Sequence, residues 1–141
     1  MVKYKDMENC LFCKIINGEI PSLKICENDR AVAFMDISYV NKGHSLVIPK
    51  KHSENIFDIE QEDLNTTMEI VRKISKIVKK ATKADGVNIH INNGAAAGQV
   101  IHHTHIHIIP RFKEDGLKMW KSNEYKEGER EKIFKKIREQ I

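Results

Sequence analysis

No apolar run in this chain approaches the roughly 20 residues that a membrane-crossing helix needs, which excludes such a span and leaves a membrane off the list of expected partners. The opening stretch, Met1-Val2-Lys3-Tyr4-Lys5-Asp6-Met7-Glu8, has none of the apolar character of a secretory leader, so the expected location is cytoplasmic. Cysteine is scarce: Cys10, Cys13 and Cys26 are an odd set of three, which argues against a disulfide framework. Neither sign of charge dominates, with 24 basic and 20 acidic side chains giving +4, and this gives no electrostatic case for a nucleic-acid partner. Internal repeats, linkers and low-complexity segments are absent. What remains is 141 residues of ordinary globular composition, enough to bury one core without covalent staples.

Residues 1–9 read as a loose arm, and residues 10–141 as one domain with a core over 10–111 and a C-terminal extension over 112–141 that carries a helix. A short helix is expected over Leu11–Ile16, broken by Gly18-Glu19-Ile20-Pro21-Ser22. Strands are expected around Cys26, over Ala31–Ile37 after an Asn28-Asp29 turn, and over Ser45–Pro49. Asp58 is the expected N-cap of a helix from about Ile59 to Ala84, with Gln61 in the capping-box position. Its apolar stripe is Leu64, Met68, Val71, Ile74 and Val78. The stretch Val87–Asn93 alternates as a strand does, and Glu124–Ile141 reads as a surface helix. Strands carrying one long helix, without regular β-α-β alternation, give an α+β fold: an antiparallel sheet with one long and several shorter helices.

The densest chemistry lies in Gly98-Gln99-Val100-Ile101-His102-His103-Thr104-His105-Ile106-His107-Ile108-Ile109-Pro110-Arg111. Alternation at period two puts His103, His105 and His107 on one face of a strand, each about 6–7 Å from the next. A row of imidazoles is a poor core filling and asks for chemistry: phosphate handling, metal binding, or both. Histidine titrates near neutrality and can serve as nucleophile, acid or ligand. The small residues of Gly94-Ala95-Ala96-Ala97-Gly98, directly before it, suit close approach by an anion. Cys10 and Cys13 have the spacing of a metal half-site or a redox pair.

The pattern His103-x-His105-x-His107 resembles the signature of the histidine triad (HIT) superfamily. The likeness extends through Cys10-Leu11-Phe12-Cys13, Gly18-Glu19-Ile20-Pro21, Ala33-Phe34-Met35-Asp36-Ile37, Gly43–His52, Asn92-Asn93-Gly94 and Gly98-Gln99, in the order of the Hint-like branch. The resemblance implies the HIT-like fold, a homodimer formed through the long helix and an extended sheet, and a purine nucleotide substrate. It makes His105 the nucleophile that attacks an α-phosphate to give a nucleotidyl-histidine, which water hydrolyses. It makes His107 a donor to phosphate oxygens and His44 a support for the nucleophile. Asp36 would accept from the ribose hydroxyls, and Asn92, Gly98 and Gln99 would meet the phosphate or ribose. Phe12, Ile15, Ile20 and Ile37 would line the base pocket. Two positions depart from the family pattern: Val100 stands where Ser or Thr is common, which bears on phosphoramidate cleavage, and Thr104 replaces a hydrophobic residue on the face expected to point away from the site.

Cys10 and Cys13 also resemble the zinc-carrying members, whose site two histidines complete; by position these are His52 and His103. A closed Cys2His2 set is a structural zinc environment. Cys26, His44, His90 and His102 are rival ligands on sequence alone, and His90 and His102 otherwise read as ordinary strand or surface residues. Three functions are therefore weighed: a nucleotide hydrolase or nucleotidyl transferase whose chemistry needs no bound metal, a non-catalytic nucleotide-binding module, and a hydrolase with a metal held by His103, His105 and His107.

Overall fold

The computed structural model describes residues 7–141, so most of the expected arm over residues 1–9 lies outside the described residues. Met7 and Glu8, at its end, are helical rather than loose. Helix α1, Leu11–Ile16, begins at Cys10, whose thiol accepts from Cys13 N at 3.4 Å and so caps the first turn. It ends at Asn17, followed by Gly18 at positive φ, before the chain enters β1, Lys24–Glu27. Asn28 closes the turn to β2, Ala31–Met35, by accepting from the amides of Arg30 and Ala31 at 2.9 Å each. Strand β3 is Ser45–Pro49, β4 is Gly86–Ile91 and β5 is Ile106–Arg111.

The five strands form one sheet in the order β1-β2-β3-β5-β4, every neighbour antiparallel. Alternation decides which side chains go to which face. Ala31, Ala33, Val47, Ile106 and Ile108 point to one face and pack on Ile70, Val71, Ile74 and Val78 of helix α2, Gln61–Thr82. Each such apolar side chain, fully buried, contributes roughly 1.5–3 kcal/mol. Val32, Phe34, Leu46 and Ile48 point to the other face, where α1 supplies Cys10, Phe12 and Cys13. Because both faces are covered, β3 is buried along its whole length.

The long helix differs from expectation at both ends and along its stripe. Glu60, not Asp58, is the N-cap, with no side-chain cap bond. Asp58 instead accepts from the amides of Glu54 and Asn55, closing the turn before the helix, and the Gln61 amide donates to Asn65 rather than completing a capping box. The helix stops at Lys83, which takes the left-handed conformation (φ 56°). Met68 is 43% exposed, and Leu64 is only half-buried. Asp63 and Thr67 take the inner positions in the first turns, because Arg30 reaches Asp63 Oδ1 at 2.7 Å and Thr67 Oγ1 donates to Asp63 O at 2.6 Å.

Strand β5 corrects the sequence reading most. It was expected to run from His103, but it begins at Ile106, and its pairing with β3 starts at Val47↔Ile106. Thr104 N donates to Ser53 O (2.7 Å) and its hydroxyl lies 2.7 Å from Ser53 Oγ. Those bonds hold residues 103–105 against the loop after β3 instead of on a neighbouring strand. The extension is anchored to β5 by Arg111 on Asp115 (Nε–Oδ2 2.7 Å) and ends in α3, Glu129–Arg138, none of whose residues is buried.

Candidate active site and metal centre

The break at Thr104 divides the expected row of histidines between two clusters. His103 turns into the protein, fully buried, and faces Cys10 and Cys13 of α1 (Nδ1–Sγ 3.4 and 3.6 Å). His52, from the loop after β3, brings its Nδ1 to 3.3 Å from Cys13 Sγ. The four donor atoms of Cys10, Cys13, His52 and His103 lie within 4.8 Å of one another, and all four residues are buried. His103 Nε2 is 2.8 Å from Pro49 O, an atom that can only accept, so the proton sits on Nε2 and the Nδ1 lone pair faces the thiols. Burial, with Cys10 beside it, pushes the Cys13 thiol up to about 12. Two thiols and two imidazoles converging in a buried pocket fit a tetrahedral cation.

His105 and His107 join a different set. Their rings lie 5.0 Å apart, and His107 is flanked further by His44 (5.1 Å) and His90 (4.6 Å, inclined by only 25°). His44 comes from the turn before β3, and His90 from β4, where it is the cross-strand partner of His107. The directions of the protons follow from the partners. Val40 N donates to His44 Nδ1 (3.2 Å), which leaves the His44 proton on Nε2. That Nε2–H faces His107 Nδ1 at 2.9 Å, with Asp36 Oδ2 at 3.6 Å. His107 therefore accepts at Nδ1 and carries its own proton on Nε2, a buried atom with no partner among the described residues. His105 Nδ1 lies 2.7 Å from His103 O, so it donates there and keeps a lone pair on Nε2.

Burial pushes all four imidazoles below their ordinary range. His107 falls to about 3, with the neighbouring His105, His90 and His44 adding to the effect. Desolvation also lowers His105, His44 and His90; Asp36 opposes it at His44 and His105. The site at neutral pH is a cluster of neutral imidazoles with assigned donors and acceptors.

Phe12 links the two clusters, its ring edge-on to His103 (5.9 Å) and His105 (5.2 Å). Ile15 and Ile20 are half-buried, while Ile37, after Asp36, is 98% exposed on the rim. Asp36 Oδ1 accepts from Ser38 N (2.9 Å), so the residue shapes the end of β2 as well as facing His44. The loop before the triad forms a 3-10 turn over Ala95–Ala97, with Gly94 and Gly98 at positive φ. Gln99 was expected to offer an amide donor to substrate. Its carboxamide is buried and engaged within the protein: Nε2 donates to Glu54 O (2.6 Å) and Ile101 O (3.1 Å), and Oε1 accepts from Gly94 N (2.8 Å). Asn92 Nδ2 approaches Gly98 O at 3.4 Å. Val100 is 84% exposed.

The rival ligands sort themselves by position. Cys26 lies on β1, His102 is exposed beside Glu54, and His44 and His90 belong to the imidazole cluster. Among the described residues His103, His105 and His107 do not converge as a ligand set. Asp36, His44 and His107 do lie close together, but the His44–His107 hydrogen bond already occupies the facing nitrogens. The sequence reading missed His90. Its signal was the alternation of β4, which puts Asn88 and His90 on one face, but naming its partner needs the β4–β5 register.

The HIT domain family matches residues 17–114. Protein hit of Bacillus subtilis is 43% identical over 138 residues, covering 95% of each chain. The adenosine 5'-monophosphoramidase HNT1 of Candida albicans is 34% identical over 139 residues, covering 94% of this chain and 91% of its own. Among solved structures, a HIT family member from Bacillus subtilis superposes with a TM-score of 0.86 at 42% identity, over 94% of this chain and 97% of that one. A zinc-bound histidine triad family protein from Mycobacterium smegmatis superposes with a TM-score of 0.75 at 30% identity, over 96% and 99%.

Proposed function

The chain belongs to the HIT domain family, and from that premise we propose that it is a nucleotide hydrolase or nucleotidyl transferase acting at the α-phosphate of purine nucleotide derivatives. One observation carries the reading: His105 keeps a lone pair on Nε2 beside His107, whose Nε2–H is a buried donor with no partner among the described residues. In this reading His105 Nε2 attacks the α-phosphorus. The nitrogen–phosphorus bond forms as the bond to the leaving group breaks, and the electron pair departs with that group. Water then attacks phosphorus, loses a proton to solvent and returns the lone pair to Nε2. His107 Nε2–H donates to a phosphate oxygen in both steps, with His44 holding its orientation. The amides of Gly94, Ala97, Gly98 and Gln99 already donate within the loop, so the tip at Ala95 and Ala96 is left to meet an anion. Asp36 would hold the ribose, Asn92 and Gly98 the phosphate side, and Phe12, Ile15, Ile20 and Ile37 the base, while Gln99 acts by bracing the loop.

Cys10, Cys13, His52 and His103 would hold a structural zinc ion, which on binding supplies charge to keep the two thiols ionised. The same four side chains join α1 to the loop after β3 and fix the carbonyl of His103 that orients His105. A homodimer and a cytoplasmic location are part of the same reading, the first open to light scattering.

The test is intact mass after incubation with diadenosine polyphosphate, adenosine phosphoramidate or adenosine diphosphate. A nucleotidyl adduct is expected on a His107→Ala chain and not on one that also carries His105→Ala. Binding without adduct or product in every chain would replace this reading with the nucleotide-binding module.

A further inference from the structure

His90 belongs to the imidazole cluster but no part of the proposed reaction uses it, and its placement is specific. It faces His107 directly across the β4–β5 pair, on the sheet face that carries the site. Its ring lies 4.6 Å from that of His107 at an angle of 25°, a stacked arrangement, whereas His105 and His44 meet His107 at 62° and 45°. His107 is thus bounded by three rings and one hydrogen bond. His44 Nε2 fixes the direction of His107 Nδ1, but the angular tolerance of a single hydrogen bond leaves the ring free to tilt. The flat contact with His90 removes that freedom. His90 is well suited to this: the β4–β5 register sets it opposite His107, and it is half-buried there.

We propose that His90 is a positioning residue of the site: by stacking on His107 it fixes the plane of that ring, so that Nε2–H points at the phosphate. The inference rests on the reading of His107 as a phosphate donor. The groups that face His107 are Asp36 from the end of β2, His44 from before β3, His105 from before β5 and His90 from β4. Among the described residues only His90 meets it face to face. Removal of this contact is expected to lower kcat about three- to tenfold.

The experiment compares the full-length wild type with His90→Ala and His90→Phe. It measures kcat, KM, affinity for adenosine monophosphate, and the ring nitrogen signals of His107 by long-range proton–nitrogen NMR. In the wild type His107 is expected as the single Nε2–H tautomer. In His90→Ala the kcat falls three- to tenfold, the nucleotide affinity stays within twofold, and the His107 signals broaden as the ring loses its fixed plane, while His44 still holds the Nε2–H tautomer. In His90→Phe, which restores a flat ring without a titratable group, most of the loss in kcat is recovered and the signals sharpen. Should the alanine variant fail to fold, His90→Leu takes its place as the ringless side chain. Wild-type kcat and wild-type line widths in the ringless variant would overturn the proposal, and so would an equal loss in His90→Phe, which would point to a polar role. If the wild type turns over no nucleotide, the functional reading fails, while the line-width comparison still decides the role of His90.

Discussion

His44 Nε2 donates to His107 Nδ1 across 2.9 Å, and the amide of Val40, donating to the other nitrogen of His44, fixes the direction of that bond. A backbone amide thereby sets the protonation of His107 through one intervening ring. His44→Ala leaves His107 Nδ1 buried without a donor, and either ring nitrogen can then carry the proton. Loss of an orienting partner of this kind costs roughly 10–100-fold in activity. Steady-state kinetics on His44→Ala should show that loss mainly in kcat. Unchanged kcat would mean that His107 needs no orientation from His44.

The Cys10, Cys13, His52 and His103 set leads to a second expectation, on metal content and stability together. Purified protein should carry about one zinc per chain by elemental analysis, and Cys13→Ser should carry almost none. At a thousandfold excess over its dissociation constant a bound ion adds about 4 kcal/mol to the folded state, so the midpoint of thermal unfolding should fall by on the order of 10 °C in the variant or with a strong chelator. Turnover should fall too, because His103 O accepts the Nδ1–H of His105. Metal-free protein with unaltered melting would show that the four side chains are a thiol–imidazole cluster only.

Much of this arrangement was legible in the sequence where a local pattern decides the outcome. The runs expected as strands, Ala31–Ile37, Ser45–Pro49 and Val87–Asn93, contain β2, β3 and nearly all of β4 because their period matches the pleat, although β2 stops at Met35 and β4 runs Gly86–Ile91. That Cys10, Cys13, His52 and His103 come together was what the resemblance implied, whereas spacing alone could not separate His52 from His44. What stayed hidden depended on distant partners. The alternation of His103, Thr104 and His105 continues into β5 without a visible break, yet Ser53, about fifty residues earlier, accepts from Thr104 N and interrupts the strand. Arg30 likewise brings Asp63 to the inner face of α2, where the apolar period favoured Leu64. His90 gained its partner only through register.

The neutral imidazole cluster makes stability depend on pH with a definite sign. His107 is held down to about 3, against an ordinary value of 6.5, chiefly by burial. Between those values the unfolded chain binds the proton and the folded chain does not. The contribution is therefore complete above about pH 6.5 and is lost progressively as pH falls toward 3. His105, His44 and His90 shift the same way. Urea midpoints measured at pH 7.5, 6 and 5 should fall, and His107→Gln should flatten the fall because one of the titrating groups is gone. Equal slopes in the two proteins would show that His107 does not titrate on unfolding in this range.

Gly43 couples the long helix to the site, and this gives the most local of the expectations. It sits at φ +102°, immediately before His44, where a side chain is strained whatever the space. A Cβ there would also lie 2.6 Å from Thr82 Cγ2 and 3.4 Å from Pro110 Cγ. Thr82 cannot simply turn aside, since its hydroxyl donates to Val78 O at 2.8 Å in the last turn of α2. Gly43→Ala should therefore cost roughly 2–4 kcal/mol, the sum of a backbone strain of about 1–2 kcal/mol and a displacement of packed atoms. The displacement moves the entry to β3 and with it His44, so kcat should fall alongside stability. Thr82→Ser removes the methyl group that the new Cβ meets and keeps the hydroxyl. Combined with Gly43→Ala it should recover the steric part of the loss and leave the backbone part, a coupling of about 1 kcal/mol in a double-mutant cycle. Strict additivity of the two substitutions would refute the contact, and a cost below about 0.5 kcal/mol for Gly43→Ala would refute the strain as well.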